Sequence, residues 1–442
     1  MRPTTSPPSR PYAWYVVLLC MIAYVFSFID RQILALLIQP IRKDLDISDT
    51  QFSLLHGLAF SLFYATMGLP IARLADSRPR PAIIAAGVFL WSLATAATGI
   101  GRNFMQIFIA RMGVGVGEAA LSPAAYSMIA DLFPKQALGR ALAVYSIGTF
   151  IGGGLAYLIG GAVVGLVGET PTLVLPLVGE VRAWQVVFFI VGFPGILLAA
   201  IFALTVRDPV RAGERAASAP IGEVFAFIGA NRKFFIAHYG GFTLCALALF
   251  GLMSWTPAYL IRVHGLTTAE TGLLLGATLL AANVGGVLVS GWITDRFEKN
   301  GRADAPMRAG MIGAAGLIAP IALFSLSPNL IVAGTSIAIA FFFASFPLAT
   351  SAAAMQIAAP PNMRAQISAL FLFCNSIFGL AVGGTLIALV TDYVFRNDAM
   401  VGASVSLVGG AAAVGATLLL KSGLAPFAAL QSRNIAAAAS AL

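Results

Sequence analysis

Hydrophobic residues in this chain come in long blocks separated by short polar connections. A helix needs about 20 apolar residues to cross a bilayer's hydrocarbon core. Twelve blocks qualify, at 14–38, 51–75, 81–100, 104–132, 138–166, 183–206, 234–261, 268–294, 307–327, 329–358, 364–391 and 400–420. No ten-residue alternating pattern occurs, which excludes a transmembrane β-barrel. The pattern predicts an all-α membrane protein of twelve transmembrane helices. The charged connection at 207–233 divides them six and six, so the expected organisation is a bundle at 1–206, a linker at 207–233 and a bundle at 234–442.

Composition agrees. The chain is 59% hydrophobic and 10% charged, with mean hydropathy +0.89, whereas a soluble protein carries about 25% charged residues. A net charge of +9 could point to nucleic acid, but its distribution points to topology. With a cytoplasmic N-terminus, nineteen Lys and Arg fall on the cytoplasmic side, six on the other, and Arg31 and Arg111 inside spans. Cytoplasmic loops are enriched in these residues, so both termini are expected in the cytoplasm and no nucleic-acid partner is expected. The first apolar run has no small-residue cleavage site after it and reads as a retained helix.

Cys20, Cys245 and Cys374 lie in apolar runs, and His56, His238 and His264 are scattered. No disulfide framework, metal set, nucleotide-binding glycine loop or nucleophile–base arrangement emerges. The expectation is therefore a non-enzyme without cofactor or metal, a monomer whose partners are membrane lipids, protons and a small substrate.

The two halves echo each other. ARLADSRPR follows the second span and GWITDRFEK the eighth; PKQALGRALAVYSIGTFIGGG enters the fifth and PPNMRAQISALFLFCNSIFGLAVGG the eleventh. Asp76 and Asp295 are 219 residues apart, Arg140 and Arg364 are 224 apart. Such an offset indicates a parallel repeat, and transporters built this way hold substrate near mid-membrane. These residues resemble the major facilitator superfamily. Its signature loop, Gly-x-x-x-Asp-Arg/Lys-x-Gly with further basic residues, occurs after spans two and eight. Asp76 and Asp295 match its acid, Arg80 and Arg296 its basic positions, and Gly291 its first glycine, while Ala72 and Pro79 replace usual glycines. FIDRQ in span one, RMGVGVGEAALSPAAYSMIADLF in span four and FPGILLAAIFALTVRDPVR closing span six resemble the spinster branch of sphingolipid and lysolipid transporters. The resemblance implies the major facilitator fold, alternating access and proton-coupled movement of a single-chain phospho- or sphingolipid. It also implies that Asp76 and Asp295 latch the cytoplasmic side against the starts of spans eleven and five, near Arg364 and Arg140. Arg80 and Arg296 join that expected gate.

Away from the span ends, four charges lie inside spans: Asp30 and Arg31 within FSFIDRQILALLIQP, and Arg111 and Glu118 in span four. Each costs several kcal/mol at the bilayer centre unless paired or wetted. At about 1.5 Å per residue, Asp30 lies roughly 24 Å and Glu118 roughly 21 Å from the cytoplasmic ends of their spans. The expectation is one cluster of Asp30, Arg31 and Glu118, with Arg111 about two turns nearer the outside. Burial makes a carboxylate hold its proton and a neighbouring Arg loosens it. Asp30 and Glu118 are thus the candidate proton-coupling acids. Arg31 is the candidate counter-charge and head-group anchor, since an Arg fork binds two oxygens of a phosphate or carboxylate. The alternatives are a static ion pair, and for Arg111 snorkelling to the outer interface. Tyr24, Ser27 and Tyr126 share faces with these charges and are candidate polar cavity groups, as are Asn283 and Asn375 in the otherwise apolar second half. A charged first half and an aromatic-rich second half suit an amphiphile of the sphingosine phosphate or lysophospholipid type. The alternative is a proton:organic-anion symporter or a drug exporter. The expected location is a bacterial inner membrane.

Overall fold

The computed structural model describes residues 10–167, 172–175, 179–209, 219–360 and 362–440. Eleven helices among the described residues are long and apolar enough to cross a membrane: Arg10–Leu36, Arg80–Thr98, Phe104–Leu132, Ala137–Leu166, Ala183–Thr205, Arg232–His264, Thr268–Lys299, Ala305–Ser325, Leu330–Ala358, Gln366–Phe395 and Asp398–Arg433. The remaining expected span, the second, is helical too: Asp49–Ser53, Leu54–Leu58 and Ala59–Ser77 follow end to end. The chain thus has the expected twelve-helix, all-α membrane fold.

The helix ends differ from the hydropathy limits where polar residues continue a helix beyond the apolar block. The last helix, Val401–Ser440, passes the expected limit at 420, because its alanine-rich tail favours helix without needing lipid. Among the described residues, four stretches have the wider π-helical turn: Leu54–Leu58, Ile236–Gly240, Asn375–Ala381 and Val390–Phe395. Such insertions often occur at functional sites.

Two features escape the hydropathy pattern. Thr172–Leu175 and Gly179–Arg182 pair as an antiparallel hairpin, Thr172 opposite Arg182, in a segment rich in β-branched residues. A short connector helix, Ile221–Ala230, precedes the seventh span.

The chain forms two compact units, Met1–Gly213 with Leu260–Leu280, and Glu214–Tyr259 with Ala281–Leu442. In the first, two span-four glycines set the packing. A Cβ on Gly115 would lie 2.5 Å from the Phe60 carbonyl oxygen of span two, and one on Gly117 would lie 2.7 Å from the Trp91 nitrogen of span three. Only glycine permits both approaches. Span four is thereby drawn against spans two and three, and the side chains of Arg111 and Glu118 are enclosed.

The second unit packs around aromatic rings. Phe242, Trp255, Phe341, Phe346 and Phe371 are buried, while Phe373 and Phe378 are exposed. His238 is fully buried against Phe234, Phe242 and Phe371, and one ring nitrogen lies 2.9 Å from the Ser351 carbonyl oxygen.

Candidate functional site

Asp30 and Arg31 are neighbours on one helix, so their side chains leave it about 100° apart. They therefore meet different spans. The Arg31 Nε donates to Glu118 Oε2 at 2.6 Å, and its Nη2 approaches the same oxygen at 2.6 Å. Ser27, one turn earlier, donates its hydroxyl to that oxygen at 2.6 Å. The guanidinium carbon also lies 4.9 Å from the Phe28 ring centroid, 4.6 Å from Phe60 and 4.7 Å from Tyr64. Three aromatic faces thus wall a cation that a carboxylate neutralises. Its side chain keeps 13% exposure, against 0% for that of Glu118.

Asp30 turns the other way. The Thr95 hydroxyl of span three donates to its Oδ2 at 2.6 Å. Helical spacing alone puts Arg111 about two turns nearer the outside. From there its side chain reaches span one: Arg111 Nη1 donates to the Asp30 backbone carbonyl at 3.3 Å, and its guanidinium lies 5.8 Å from the Phe60 ring. The reason is geometric: helix carbonyls point toward the C-terminal end, so the Asp30 oxygen is presented to a guanidinium lying further along span one. Arg111 is fully buried and does not snorkel. The structure thus brings Arg31, Glu118 and Ser27 into one contact, and Asp30, Thr95 and Arg111 into another. Phe60 lies under both guanidinium groups.

Several buried polar atoms here have no hydrogen-bond partner: Asp30 Oδ1, Glu118 Oε1, Gln32 Oε1, and Arg111 Nε and Nη2. Buried polar groups in proteins are nearly always paired. An unpartnered carboxylate oxygen can take a proton, and unpartnered guanidinium nitrogens can take an anion.

Tyr24 stacks on Tyr145 at 4.7 Å, and Tyr126 meets the same ring edge-on at 5.3 Å. Tyr145 is fully buried and 3.0 Å from the Ser122 hydroxyl. It joins two tyrosines whose spacing along the chain carries no hint of contact. In the second unit, Asn283 is buried with its Oδ1 unpartnered, and Asn375 opens a π-helical stretch.

Further ionic clusters occupy the first unit. Asp49, fully buried, receives Arg262 through both nitrogens at 2.6 Å and Arg42 at 2.8 Å. A capping box of Ser48 and Gln51 fixes the helix start that carries Asp49. Asp44 pairs with Arg182 and accepts the Trp184 indole hydrogen at 2.9 Å. Arg42, Arg182 and Arg262 are three of the basic residues that the charge count puts on one side. Asp49 is an acid just ahead of an apolar block, which hydropathy treats as an ordinary loop charge. Only the fold shows that it has two arginines as partners.

The motif assigns Arg80 to a gate. The structure revises that placement: Arg80 is 1% exposed and held inside the first unit. Its Nε donates to Asp208 Oδ1 at 2.8 Å, its Nη1 to Ser127 at 3.0 Å and to Asp131, and its Nη2 to the Pro209 carbonyl at 2.8 Å. With this many local partners, it ties the start of span three to the ends of spans four and six. Of the other expected gate residues, Arg140, Asp295 and Arg296 are exposed, and Arg296 lies over Trp292 at 5.6 Å. Arg364 donates to the Ala359 carbonyl at 3.0 Å. The Asp76 side chain lies outside the described residues.

A twelve-helix membrane fold with buried charges in spans one and four is the arrangement expected of a membrane transporter. The Major Facilitator Superfamily description matches residues 20–384, and the chain belongs to this family. It is 28% identical over 382 residues to an MFS-type efflux pump of Mycolicibacterium smegmatis, covering 86% of this chain and 85% of that one. It is 26% identical over 386 residues to a probable L-galactonate transporter of Escherichia coli, covering 82% and 79%. A solved bacterial homologue of the human lysosomal transporter spinster, inward-facing and occupied, is similar at 28% identity and TM-score 0.76, covering 96% of this chain and 98% of that one. Within the superfamily the chain is spinster-like.

Proposed function

We propose that this chain is a proton-coupled secondary transporter of an amphiphile with an anionic head, of the sphingosine phosphate or lysophospholipid type. It works by alternating access in a bacterial inner membrane, with both termini cytoplasmic. The observation that carries the reading is the set of unpartnered buried atoms on Asp30, Glu118 and Arg111. A static ion pair would satisfy those atoms, because leaving them open is costly.

The geometry supports a partner exchange. Glu118 neutralises Arg31 when ionised. A proton taken by Glu118 removes that attraction and frees the guanidinium for a phosphate or carboxylate. The aromatic wall of Phe28, Phe60 and Tyr64 favours a head with apolar surface beside its charge. Asp30, held by Thr95, is the second proton site. Tyr24, Tyr126, Asn283 and Asn375 complete the proposed polar groups. Arg42–Asp49–Arg262 closes the outer side, Arg262 belonging to the end of span seven. Asp76 and Asp295 latch the cytoplasmic side near Arg364 and Arg140.

The similarity to a probable L-galactonate transporter favours a second reading, a proton:organic-anion symporter using the same arginines. Competition on purified protein separates the two. Labelled lysophospholipid is expected to bind and to be displaced by sphingosine phosphate but not by galactonate. Saturable galactonate binding without lipid competition would establish the second reading instead.

A further inference from the structure

The connector helix Ile221–Ala230 has the sequence IGEVFAFIGA, with one charged residue, Glu223, in its first turn. Val224 is buried, and Phe227 and Ile228 pack against the core of the second unit. Those positions form one helix face. The opposite face should be polar if it met water. It carries Ile221 at 69% and Phe225 at 57% exposure, with Gly222, Ala226 and Gly229 exposed between them. Apart from Glu223 in its first turn, the helix is therefore apolar on its exposed surface as well as on its packed side.

The residues beyond the helix indicate the medium that covers its free side. Asn231 is an elbow that leads directly into span seven, and its amide donates to the Phe227 carbonyl at 3.0 Å. Arg232 and Lys233 come next, both exposed. The last helix supplies a third cation: Arg433 Nη2 donates to Asn231 Oδ1 at 3.0 Å, and Phe427 stacks on Phe234 at 5.4 Å beneath it. One turn into span seven, Ile236 is 63% exposed. The exposed apolar residues of the connector are thus continuous in sequence with a surface of the span that faces lipid. The three cations lie where that surface ends.

We propose that the connector helix lies in the membrane interface with Ile221 and Phe225 inserted among acyl chains. In this placement, Arg232, Lys233 and Arg433 around the Asn231 elbow bind the headgroup of an anionic phospholipid. Apolar insertion beside a basic cluster is the physical signature of such a surface. The site is independent of the transported substrate, and its cations are far in sequence from the charges of spans one and four.

The test uses full-length protein with Cys374→Ala and either Phe225→Cys or Ile221→Cys, labelled with an environment-sensitive fluorophore and reconstituted in bilayers. The native Cys20 and Cys245 are buried. Quenching by brominated phosphatidylglycerol is compared with quenching by brominated phosphatidylcholine. Both lipids are expected to quench, the anionic one preferentially. Its preference should fall about fivefold for each of Arg232→Gln, Lys233→Gln and Arg433→Gln, the worth of one basic residue at an anionic surface. Absence of quenching at both positions would overturn the insertion, as it would mean water or a protein partner there. Equal quenching by the two lipids, or a preference insensitive to all three substitutions, would overturn the headgroup site.

Discussion

Arg31→Ala is expected to abolish substrate binding and to destabilise the protein more than an ordinary loss of side-chain contacts would. Removing one member of a buried ion pair costs about 3–5 kcal/mol, because the remaining charge is stranded. Here the stranded group is Glu118, whose side chain has no exposure and which would keep the Ser27 hydroxyl as its hydrogen-bond donor. The double substitution Arg31→Ala with Glu118→Ala removes both charges, and it should recover much of the lost stability without recovering binding. Thermal unfolding of the purified variants, followed beside binding, separates the two effects. A double variant no more stable than the single one would show that the pair is not energetically coupled.

Asp49→Ala should have the next largest effect. Asp49 is the shared acceptor of Arg42 and Arg262, so its loss takes a fully buried carboxylate from both guanidinium groups at once. A cost of about 3 kcal/mol for the broken buried pairs corresponds to about a hundredfold faster local opening. Hydrogen–deuterium exchange should therefore rise in residues 38–53 and 260–266, and transport should fall. Unchanged exchange in both segments would mean that the cluster does not hold that end closed.

Hydropathy and charge placement are enough to read the helices, since a span must satisfy its own backbone and must be apolar over its length. The same physics makes Asp30, Arg31, Arg111 and Glu118 conspicuous: they are charges where charges are costly. Their pairing is not legible. Sequence adjacency puts Asp30 with Arg31, but the 100° turn between consecutive helical residues sends one to Thr95 and the other to Glu118. Thr95, Phe60 and Tyr64 carry no sequence signal, because a threonine or aromatic residue in an apolar span looks ordinary until its neighbours are known. Asp49 and Arg262 are 213 residues apart, and each looks like a loop charge obeying topology. Arg80 shows the opposite failure. A motif position suggests a contact at the gate, while four local partners, two in span four and two just after span six, hold it in place.

In the proposed mechanism the Arg31 guanidinium supplies the anion recognition, and the three rings around it set what must accompany the charge. Changing those rings should alter the preference between an amphiphile and a small hydrophilic anion while leaving the proton chemistry in place.

Proton movement measured in proteoliposomes, with a pH-sensitive dye inside and substrate added outside, tests the central claim most directly. The wild-type chain should move protons with its substrate, and Asp30→Asn and Glu118→Gln should each lose that movement. Substrate-linked proton movement that persists unchanged in both variants would contradict the account.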